Sequence, residues 1–260
     1  MLNSNRINRG SKGGSAGRGG GRSLTVQRNA MESNEVIAKK NKALFGRAFV
    51  MNFLSSPGSG KTSLLESIVP VLKSEGFKTA VIEGDVETDL DKKRIDALGI
   101  PAYQIITNGT CHLDAKMVSV SLDKLDIKDA DVIFIENVGN LVCPTSFNLG
   151  EDMKAVVLSI TEGDDKPLKY PAAFYKSEVM VINKIDLLHV LDSDIGKIKE
   201  NALSINKNLI IFETSCKKKA ECGGEVNEGI ADLVSFIKEK IKLKAGEFKK
   251  IGGKHQAYNI

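Results

Sequence analysis

The chain has no run of apolar residues long enough to cross a membrane. Its 260 residues are 42% hydrophobic, but no segment approaches the roughly 18 consecutive apolar residues that a membrane helix requires. The amino terminus also has no apolar segment of the kind that a secretory signal peptide needs. We therefore expect a cytoplasmic protein without membrane insertion, and the length is sufficient for one large α/β core.

Cysteine is scarce, with four residues in the whole chain. In a sequence without a secretory signal, this usage is typical of reduced thiols rather than of a disulfide framework. The thiols of Cys111, Cys143, Cys216 and Cys222 are therefore available to bind a metal ion.

Acidic residues are absent from the first 30 positions, where six arginine and lysine side chains give a charge of +6. Because the whole chain carries +4, residues 31–260 carry −2, which leaves no basic surplus for a nucleic-acid surface. The Gly-, Ser- and Arg-rich composition of residues 1–30 predicts disorder. Three origins stay open for residues 1–30: a native segment, an organellar transit peptide or a vector-derived linker. We expect a folded domain over residues 31–245 and a flexible tail over residues 246–260.

Apolar runs and amphipathic segments alternate along the rest of the chain. Residues 34–45 predict a helix that leads into the domain. Strands are predicted at residues 48–54, 79–84, 131–138, 155–161, 179–186 and 208–215. Helices are predicted at residues 61–76, 88–99, 111–125, 193–206 and 229–242. This order predicts an α/β fold with a doubly wound, mostly parallel sheet and covering helices, and ligands at the carboxyl ends of its strands.

A phosphate-binding loop is indicated by the segment SSPGSGKTS, residues 55–63. It lies between an apolar run and a helix, and it differs from G-x-x-x-x-G-K-[ST] in having Ser55 at the first glycine position. Lys61 is placed to reach the β- and γ-phosphates, and the Thr62 hydroxyl to bind Mg²⁺. The predicted nucleotide contacts of this loop are Pro57, Gly58, Ser59, Gly60, Lys61, Thr62 and Ser63. The alternative is a Ser/Gly turn that only caps a helix.

A second motif, NKID at residues 183–186, predicts guanine specificity. The Asp186 carboxylate can accept hydrogen bonds from both N1–H and the exocyclic amine of guanine, and adenine lacks that pair of donors. Asn183 and Lys184 would steady the loop and cover the base. The segment ETSCK, residues 213–217, adds Ser215 and Cys216 to the base pocket. Taken alone, the NKID segment also fits a helix cap.

Acidic side chains follow two further apolar runs. Asp85 ends one run, and Glu136 opens an E-x-x-G segment with the spacing of the D-x-x-G switch of GTPases. We expect Lys61, Asp85 and Glu136 to be the catalytic residues, with Asp85 as the first candidate for the Mg²⁺ contact and Glu136 as the second. Asp89 and Asp91 belong either to the same switch or to a solvated first helical turn.

Three soft ligands occur in two segments that follow predicted strands. Cys111 and His112 are adjacent, and Cys143 lies seven residues after Glu136. Two thiolates and one imidazole suit Zn²⁺ or Ni²⁺ rather than Mg²⁺. Three ligands leave a four-coordinate shell incomplete, so we predict a site shared across a dimer. A buried thiol beside an incidental histidine is the alternative.

Several long segments of the chain resemble the HypB family of hydrogenase maturation GTPases. These are SSPGSGKTSLLE, IEGDVETDLDKKRI, NGTCHLDAKMV, FIENVGNLVCP, TEGDDKPLKYP and NKIDLL. The resemblance runs from about Val36 to Lys242. It implies a P-loop NTPase of the G-domain class that binds GTP or GDP, dimerises on binding GTP and assists nickel insertion into [NiFe]-hydrogenase.

The resemblance also implies roles for particular residues and partners. Cys111, His112 and Cys143 would bind nickel or zinc, and Thr62 with Asp85 would bind Mg²⁺. Lys166 and Lys169 would reach the nucleotide near the dimer contact. The implied partners are a second copy of the chain, a nickel-donating or accessory maturation protein and the hydrogenase large subunit.

This sequence departs from the family pattern at its amino terminus and in its last base-pocket loop. No cysteine precedes Cys111 and no histidine precedes His112, so the metal-binding amino-terminal motif of many members is absent. Three rival functions stay open: a metal reservoir with vestigial nucleotide switching, a urease-type nickel-delivery GTPase, and an ATP-dependent enzyme on the same fold.

Overall fold

The computed structural model describes residues 19–86, 90–217 and 229–256, and the side chains of residues 29–86, 91–217 and 229–250. The strands are β1 Phe49–Ser55, β2 Thr79–Asp85, β3 Ala102–Ile106, β4 Val132–Glu136, β5 Met153–Ser159, β6 Val179–Asn183 and β7 Ile210–Thr214. The helices are α1 Gly19–Phe45, α2 Lys61–Ser74, α3 Leu90–Asp96, α4 Ala115–Leu122, α5 Lys166–Lys169, α6 Pro171–Tyr175, α7 Ile195–Ile205 and α8 Ile230–Gln256. Short 3-10 turns occur at Pro144–Ser146, Ile160–Glu162 and Ile185–Val190. None of the helices in these ranges is long and apolar enough to cross a membrane.

The strands form one parallel sheet in the order β3-β2-β4-β1-β5-β6-β7. Strand β1 lies between β4 and β5, and the chain extends the sheet first to one side of β1 and then to the other. The strand order reverses at that point, so a crevice opens beyond the carboxyl end of β1. This topology confirms the predicted doubly wound α/β fold.

The central strands are apolar because helices cover both faces of the sheet. Strands β1, β4 and β6 are buried along their whole length. On one face, Phe53 and Phe134 pack with Leu65 of α2 and Leu233 of α8. On the other face, Ile133 of β4 packs in a cluster with residues of α1 and α4. Burial on both sides explains why these strands read as continuous apolar runs.

Strand β3 is the one described strand that the sequence analysis did not predict. It lies at the edge of the sheet and pairs only with β2, and its side chains are half-buried or exposed. Such an edge strand does not need the continuous apolar run that marks a central parallel strand. The segment AYQII therefore has no strong strand signal.

Two predicted boundaries differ from the structure. Helix α1 begins at Gly19, before the predicted helix start at residue 34, and residues 1–18 lie outside the described ranges. Helix α8 continues to Gln256, past the predicted helix end at residue 242. Long helices without a strong apolar stripe are hard to delimit from composition alone.

The buried side of α1 carries polar as well as apolar residues. The helix over residues 34–45 is confirmed, but Val36 and Leu44 are exposed. Asn34, Ala38 and Asn41 are buried instead. Asparagine is usually a surface residue. Apolar periodicity therefore does not predict that these two amide side chains face the protein interior.

Candidate nucleotide site and metal centre

The segment SSPGSGKTS connects the end of β1 to the start of α2, at the switch point of the sheet. Gly58 and Gly60 have φ angles of 75° and 96°, in the region that favours glycine. A Cβ added to Gly60 would lie 2.6 Å from Nδ2 of Asn183. Ser55 is the last residue of β1 and does not have a positive φ. The serine at the first glycine position is therefore compatible with this loop geometry.

Lys61 lies at the first position of α2 with its ammonium group buried in the loop. Its Nζ donates a hydrogen bond to Oγ of Ser55 at 2.7 Å. Burial lowers the pKa of Lys61, and the nearby carboxylates of Glu136 and Asp91 oppose that shift. A buried cation whose one acceptor among the described residues is a hydroxyl is suited to an anionic ligand such as a phosphate.

Thr62 and Glu136 are brought together from α2 and the end of β4. Oγ1 of Thr62 donates to Oε1 of Glu136 at 2.8 Å. Burial raises the pKa of Glu136, while Lys61 opposes the shift. Oε2 of Glu136 is buried and has no hydrogen-bond partner among the described residues. A hydroxyl and a buried carboxylate with a spare oxygen fit a Mg²⁺ ion.

Asp85 lies at the end of β2 and lines the same cavity as Glu136. Its Oδ1 accepts a hydrogen bond from the backbone N–H of Val86 at 2.6 Å. Two carboxylates are expected to contact Mg²⁺. Of these, Glu136 rather than Asp85 forms the hydrogen bond with Thr62. Asp91 also lines this cavity, whereas Asp89 lies outside the described residues.

The cavity above the phosphate loop has a volume of about 440 Å³. Its lining consists of Pro57, Gly58, Gly60, Lys61, Thr62, Ser63, Glu83, Gly84, Asp85, Val86, Asp91, Arg94, Glu136, Asn137, Val138, Gly139 and Lys184. Two larger cavities, of about 530 and 670 Å³, lie at the amino ends of the strands, away from every motif described above. The chemistry of the lining, rather than size, therefore identifies the nucleotide site.

Two charged residues of this cavity escaped the sequence analysis. Glu83 is buried beside Glu136 on the neighbouring strand, and burial with the charges of Glu136 and Asp85 raises its pKa to about 8. Arg94 of α3 donates to Oε2 of Glu66 at 2.7 Å and to Oγ of Ser63 at 2.9 Å. The signal for Glu83 was its position two residues before Asp85, which places both on one face of a strand.

The NKID segment begins at Asn183, the last residue of β6, and contacts the phosphate loop directly. Nδ2 of Asn183 donates to the carbonyl of Ser59 at 3.0 Å. Lys184 has a φ of 65°, and its Nζ donates to the carbonyl of Gly58 at 2.7 Å. These contacts fix the position of the predicted base-binding loop relative to the phosphate loop.

The predicted base pocket brings the end of β7 against the NKID segment. Oγ of Ser215 donates to Oδ1 of Asp186 at 2.7 Å. Sγ of Cys216 lies 3.5 Å from Oδ1 of Asn183. The structure thus assembles Asn183, Asp186, Ser215 and Cys216, while Cys222 lies outside the described residues.

The two lysines predicted near the nucleotide lie on the short helix α5, outside the cavity lining given above. Nζ of Lys169 pairs with Asp165 at 2.7 Å, and the Lys169 side chain is largely exposed. Nζ of Lys166 pairs with Glu162 at 3.0 Å, and Oε1 of Glu162 accepts from Oγ of Ser59 at 2.6 Å. Lys166 therefore reaches the phosphate loop through Glu162, and a nucleotide contact for Lys169 stays a prediction.

The three predicted transition-metal ligands lie together. One ligand atom each from Cys111, His112 and Cys143 falls within 4.8 Å of the others, and all three residues are half-buried. Sγ of Cys111 is 3.8 Å from Nδ1 of His112. Burial lowers the pKa of His112, and the neighbouring Cys111 raises the pKa of Cys143. Two sulfurs and one imidazole fit Ni²⁺ or Zn²⁺ with one position left for another ligand.

Short connections join the metal ligands to the nucleotide cavity. Oδ1 of Asn137, the residue after Glu136, accepts from the backbone N–H of Leu113 at 3.1 Å. Ser55 at the start of the phosphate loop forms an isolated antiparallel bridge with Asn140. The two metal-bearing segments, residues 111–113 and 140–149, both contact residues of the nucleotide site. His112 is one residue from Leu113, which bonds to Asn137, and Cys143 is three residues from Asn140, which pairs with Ser55.

A doubly wound parallel sheet with a phosphate loop after its central strand and an N-K-x-D segment at a later strand end defines a P-loop nucleotide-binding protein. The family model "CobW/HypB/UreG, nucleotide-binding domain" matches residues 49–213. The chain belongs to this family and, within it, to the HypB hydrogenase maturation factors.

Individual relatives support this assignment. The hydrogenase maturation factor HypB of Azotobacter vinelandii is 42% identical over 221 residues, which cover 84% of this chain and 70% of the relative. The hydrogenase/urease maturation factor HypB of Helicobacter hepaticus is 36% identical, covering 84% and 88%. The crystal structure of HypB from Helicobacter pylori in complex with nickel aligns with a TM-score of 0.74 and 37% identity, covering 82% of this chain and 97% of that chain.

Proposed function

We propose that this chain is a GTP-hydrolysing metallochaperone that assists nickel insertion into [NiFe]-hydrogenase. In this proposal, GTP binding promotes pairing of two copies, and the paired state holds Ni²⁺ or Zn²⁺ at Cys111, His112 and Cys143. A nickel-donating or accessory maturation protein would load the metal, and the hydrogenase large subunit would receive it. The observation that carries the proposal is the short connection between the phosphate loop and the metal ligands.

Guanine selectivity follows from the position of Asp186. The Ser215 hydroxyl occupies one carboxylate oxygen and so orients the carboxylate, whose oxygens retain lone pairs for the two guanine donors. Adenine would leave this charge without donors, which is strongly unfavourable for a partly desolvated carboxylate. This arrangement supports GTP rather than ATP as the nucleotide.

Hydrolysis in this site consists of attack by water on the γ-phosphorus, with GDP as the leaving group and inorganic phosphate as the second product. Lys61 neutralises charge on the β- and γ-phosphate oxygens. The glycine-rich loop presents its backbone N–H groups to the same oxygens. Glu136 and Asp85 lie at the cavity wall, where a carboxylate orients the attacking water. Slow turnover is expected, because none of the described cavity residues is a glutamine.

Thr62 and Glu136 would hold the Mg²⁺ ion, with Asp85 in contact directly or through water. When bound, Mg²⁺ supplies positive charge that offsets the charge of the phosphates during the transfer. The buried Oε2 of Glu136, without a hydrogen-bond partner in the described part of the chain, supports this assignment. The hydrogen bond between Thr62 and Glu136 keeps both groups oriented before the nucleotide arrives.

A change of the bound nucleotide would alter the positions of the metal ligands through Asn137 and Asn140. A change in the position of Glu136 moves the adjacent Asn137, and the amide of Asn137 holds the backbone of Leu113. Asn140 pairs with Ser55, and its Oδ1 accepts from the backbone N–H of Val142 at 2.7 Å. The ligand positions on both segments therefore depend on backbone that the γ-phosphate contacts.

Hydrolysis is tested by single-turnover measurements on the wild type, Lys61→Ala and Lys207→Ala. Lys207 is an exposed lysine far from the cavity, so its variant should hydrolyse GTP at the wild-type rate. Lys61→Ala should lose hydrolysis by a factor of 100 or more, on the order of what an electrostatic group at a transferring phosphate supplies. Equal rates for all three proteins would favour a metal reservoir with vestigial nucleotide binding.

Metal binding and its coupling to nucleotide are tested by Ni²⁺ and Zn²⁺ titrations. Cys111→Ala and Cys143→Ala should weaken binding strongly, and Cys222→Ala serves as the thiol control. Molar mass in solution and Ni²⁺ affinity should both differ between a non-hydrolysable GTP analogue and GDP. If neither property depends on the nucleotide, the coupling in this proposal is wrong.

A further inference from the structure

The inner face of helix α1 buries two asparagine side chains next to the metal-bearing segments. Asn34 and Asn41 are 8% and 0% exposed, and the buried Ala38 lies between them on the same face. The spacing of seven residues corresponds to two helical turns. Buried amides need hydrogen-bond partners, because an unpaired buried polar group is unfavourable. Their partners therefore reveal what this face of α1 holds in place.

Both asparagines bond to the same residue at the start of α4. Oδ1 of Asn34 accepts from the backbone N–H of Ala115 at 2.8 Å. Nδ2 of Asn41 donates to the carbonyl of Ala115 at 2.7 Å. Ala115 lies three residues after His112, so α1 fixes the backbone on the carboxyl side of the first metal-bearing segment.

The same two side chains also hold the second metal-bearing segment. Nδ2 of Asn34 donates to the carbonyl of Asn148 at 2.8 Å, and Nδ2 of Asn41 donates to the carbonyl of Leu149 at 3.1 Å. Gly150 approaches α1 so closely that an added Cβ would lie 2.6 Å from the carbonyl oxygen of Ala38. Helix α1 therefore joins the two segments that carry the metal ligands.

These contacts converge on His112. The ring of Phe147, the residue before Asn148, stacks on the imidazole of His112 with centroids 3.9 Å apart and an interplanar angle of 21°. Asn34 thus fixes the backbone that places Phe147 and also the backbone that follows His112. Phe147 therefore sets the plane of the imidazole on one face, and α1 holds the backbone that follows His112.

We propose that Asn34 and Asn41 of α1 are positioning residues for the metal centre, which act by orienting the imidazole of His112 toward Cys111 and Cys143. The inference rests on the proposed metal site. Surrounding groups that orient a metal-bound imidazole affect affinity strongly, because a misdirected ring must reorient before it binds. Helix α1 thereby becomes part of the metal centre, although it supplies no ligand.

The test is Ni²⁺ titration of Asn34→Ala, Asn41→Ala and the control Asn206→Ala in the full chain. Asn206 is a matched control because its Nδ2 also donates to two backbone carbonyls, of Phe174 and Ser177, far from the metal ligands. The α1 variants should bind Ni²⁺ about 10–100-fold more weakly. The sulfur-to-nickel charge-transfer absorption should shift in position or intensity. Asn206→Ala should leave both properties at wild-type values.

A double-mutant cycle with His112→Ala separates positioning from a general loss of stability. If Asn41→Ala acts through His112, its effect on Ni²⁺ affinity should largely disappear in the His112→Ala background. An undiminished effect in that background would overturn the proposal. If Asn41→Ala does not fold, Asn34→Ala carries the same cycle, because Asn34 lies closer to the surface.

The titrations also distinguish failure of this inference from failure of the metal site. If Cys111→Ala and Cys143→Ala leave Ni²⁺ affinity unchanged, the proposed metal site is wrong. The proposed role of α1 is then wrong as well. If the cysteine variants lose Ni²⁺ while Asn34→Ala and Asn41→Ala bind it like Asn206→Ala, the metal site stands and the positioning role of α1 is wrong.

Discussion

Substitution of Asp186 by asparagine should convert guanine selectivity into xanthine selectivity. In the structure, Oδ1 of Asp186 accepts a hydrogen bond from the Ser215 hydroxyl at 2.7 Å. An asparagine at this position would keep its carbonyl oxygen toward Ser215, since only that oxygen can accept the bond. Its amide NH₂ would then face the base, where the guanine amine is a donor and the corresponding xanthine oxygen is an acceptor.

The expected loss of GTP affinity follows from the two hydrogen bonds that the carboxylate would make. Hydrogen bonds to charged groups contribute about 1.5–3 kcal/mol each, so the loss of both corresponds to roughly 3 kcal/mol or more. At about 1.4 kcal/mol for each tenfold change, Asp186→Asn should weaken GTP binding on the order of 100-fold. Affinity for XTP should rise, because its acceptor meets the new amide donor.

Competition against a fluorescent guanine nucleotide measures this change for GTP, XTP and ATP. Asp192→Asn is the matched control, since Asp192 is an exposed carboxylate six residues away. Its removal should leave all three affinities unchanged. A GTP affinity of Asp186→Asn within about twofold of the wild type would contradict the assignment of Asp186 to the base. Equal wild-type affinities for GTP and ATP would do the same, and would favour an ATP-dependent enzyme.

Further substitutions test the loop and the cavity. Gly60→Ala places a Cβ 2.6 Å from Nδ2 of Asn183 at a φ of 96°; it should abolish GTP binding and lower the free energy of unfolding by about 1–2 kcal/mol, as measured by denaturant titration. Arg94→Ala leaves the carboxylates that pair with Arg94 uncompensated beside the phosphates, so the dissociation constant for GTP should rise about tenfold. The control Lys92→Ala, which removes an exposed pair with Asp96 on the same helix, should change it by less than twofold; an equal effect of both substitutions would mean that Arg94 does not act on the nucleotide.

The sequence predicts the central sheet and the phosphate loop well because both have strong local causes. Buried parallel strands need continuous apolar runs, and the loop needs glycines where φ is positive, as at Gly58 and Gly60. The order of these motifs along alternating strands and helices also predicts which strand ends converge. Asn183 and Asp186 therefore lie where their spacing placed them, next to the loop and Ser215.

Features that depend on tertiary contacts could not be predicted in the same way. Arg94 lines the cavity because α3 packs against α2, and a periodic sequence pattern does not predict that contact. The buried face of α1 is set by Asn34 and Asn41, whose role appears only once Ala115 and residues 148–149 lie beside them. The hydrogen-bond partners of these two amides are backbone groups that are distant in the sequence. No local sequence pattern therefore predicts which side of α1 is buried.

The backbone that follows His112 is held at two points, and the proposed coupling between nucleotide and metal depends on both. Leu113 is held by Asn137, which directly follows the Glu136 that contacts Thr62. Two residues further along the chain, Ala115 is held by Asn34 and Asn41 of helix α1. In the proposed cycle, a shift of Glu136 displaces the first support while α1 keeps the second in place. Loss of a buried hydrogen bond costs about 1–3 kcal/mol, so the Leu113 backbone follows Asn137 rather than releasing it. In that proposed cycle, the segment would rotate about its fixed end at Ala115, and this would change the direction of the imidazole.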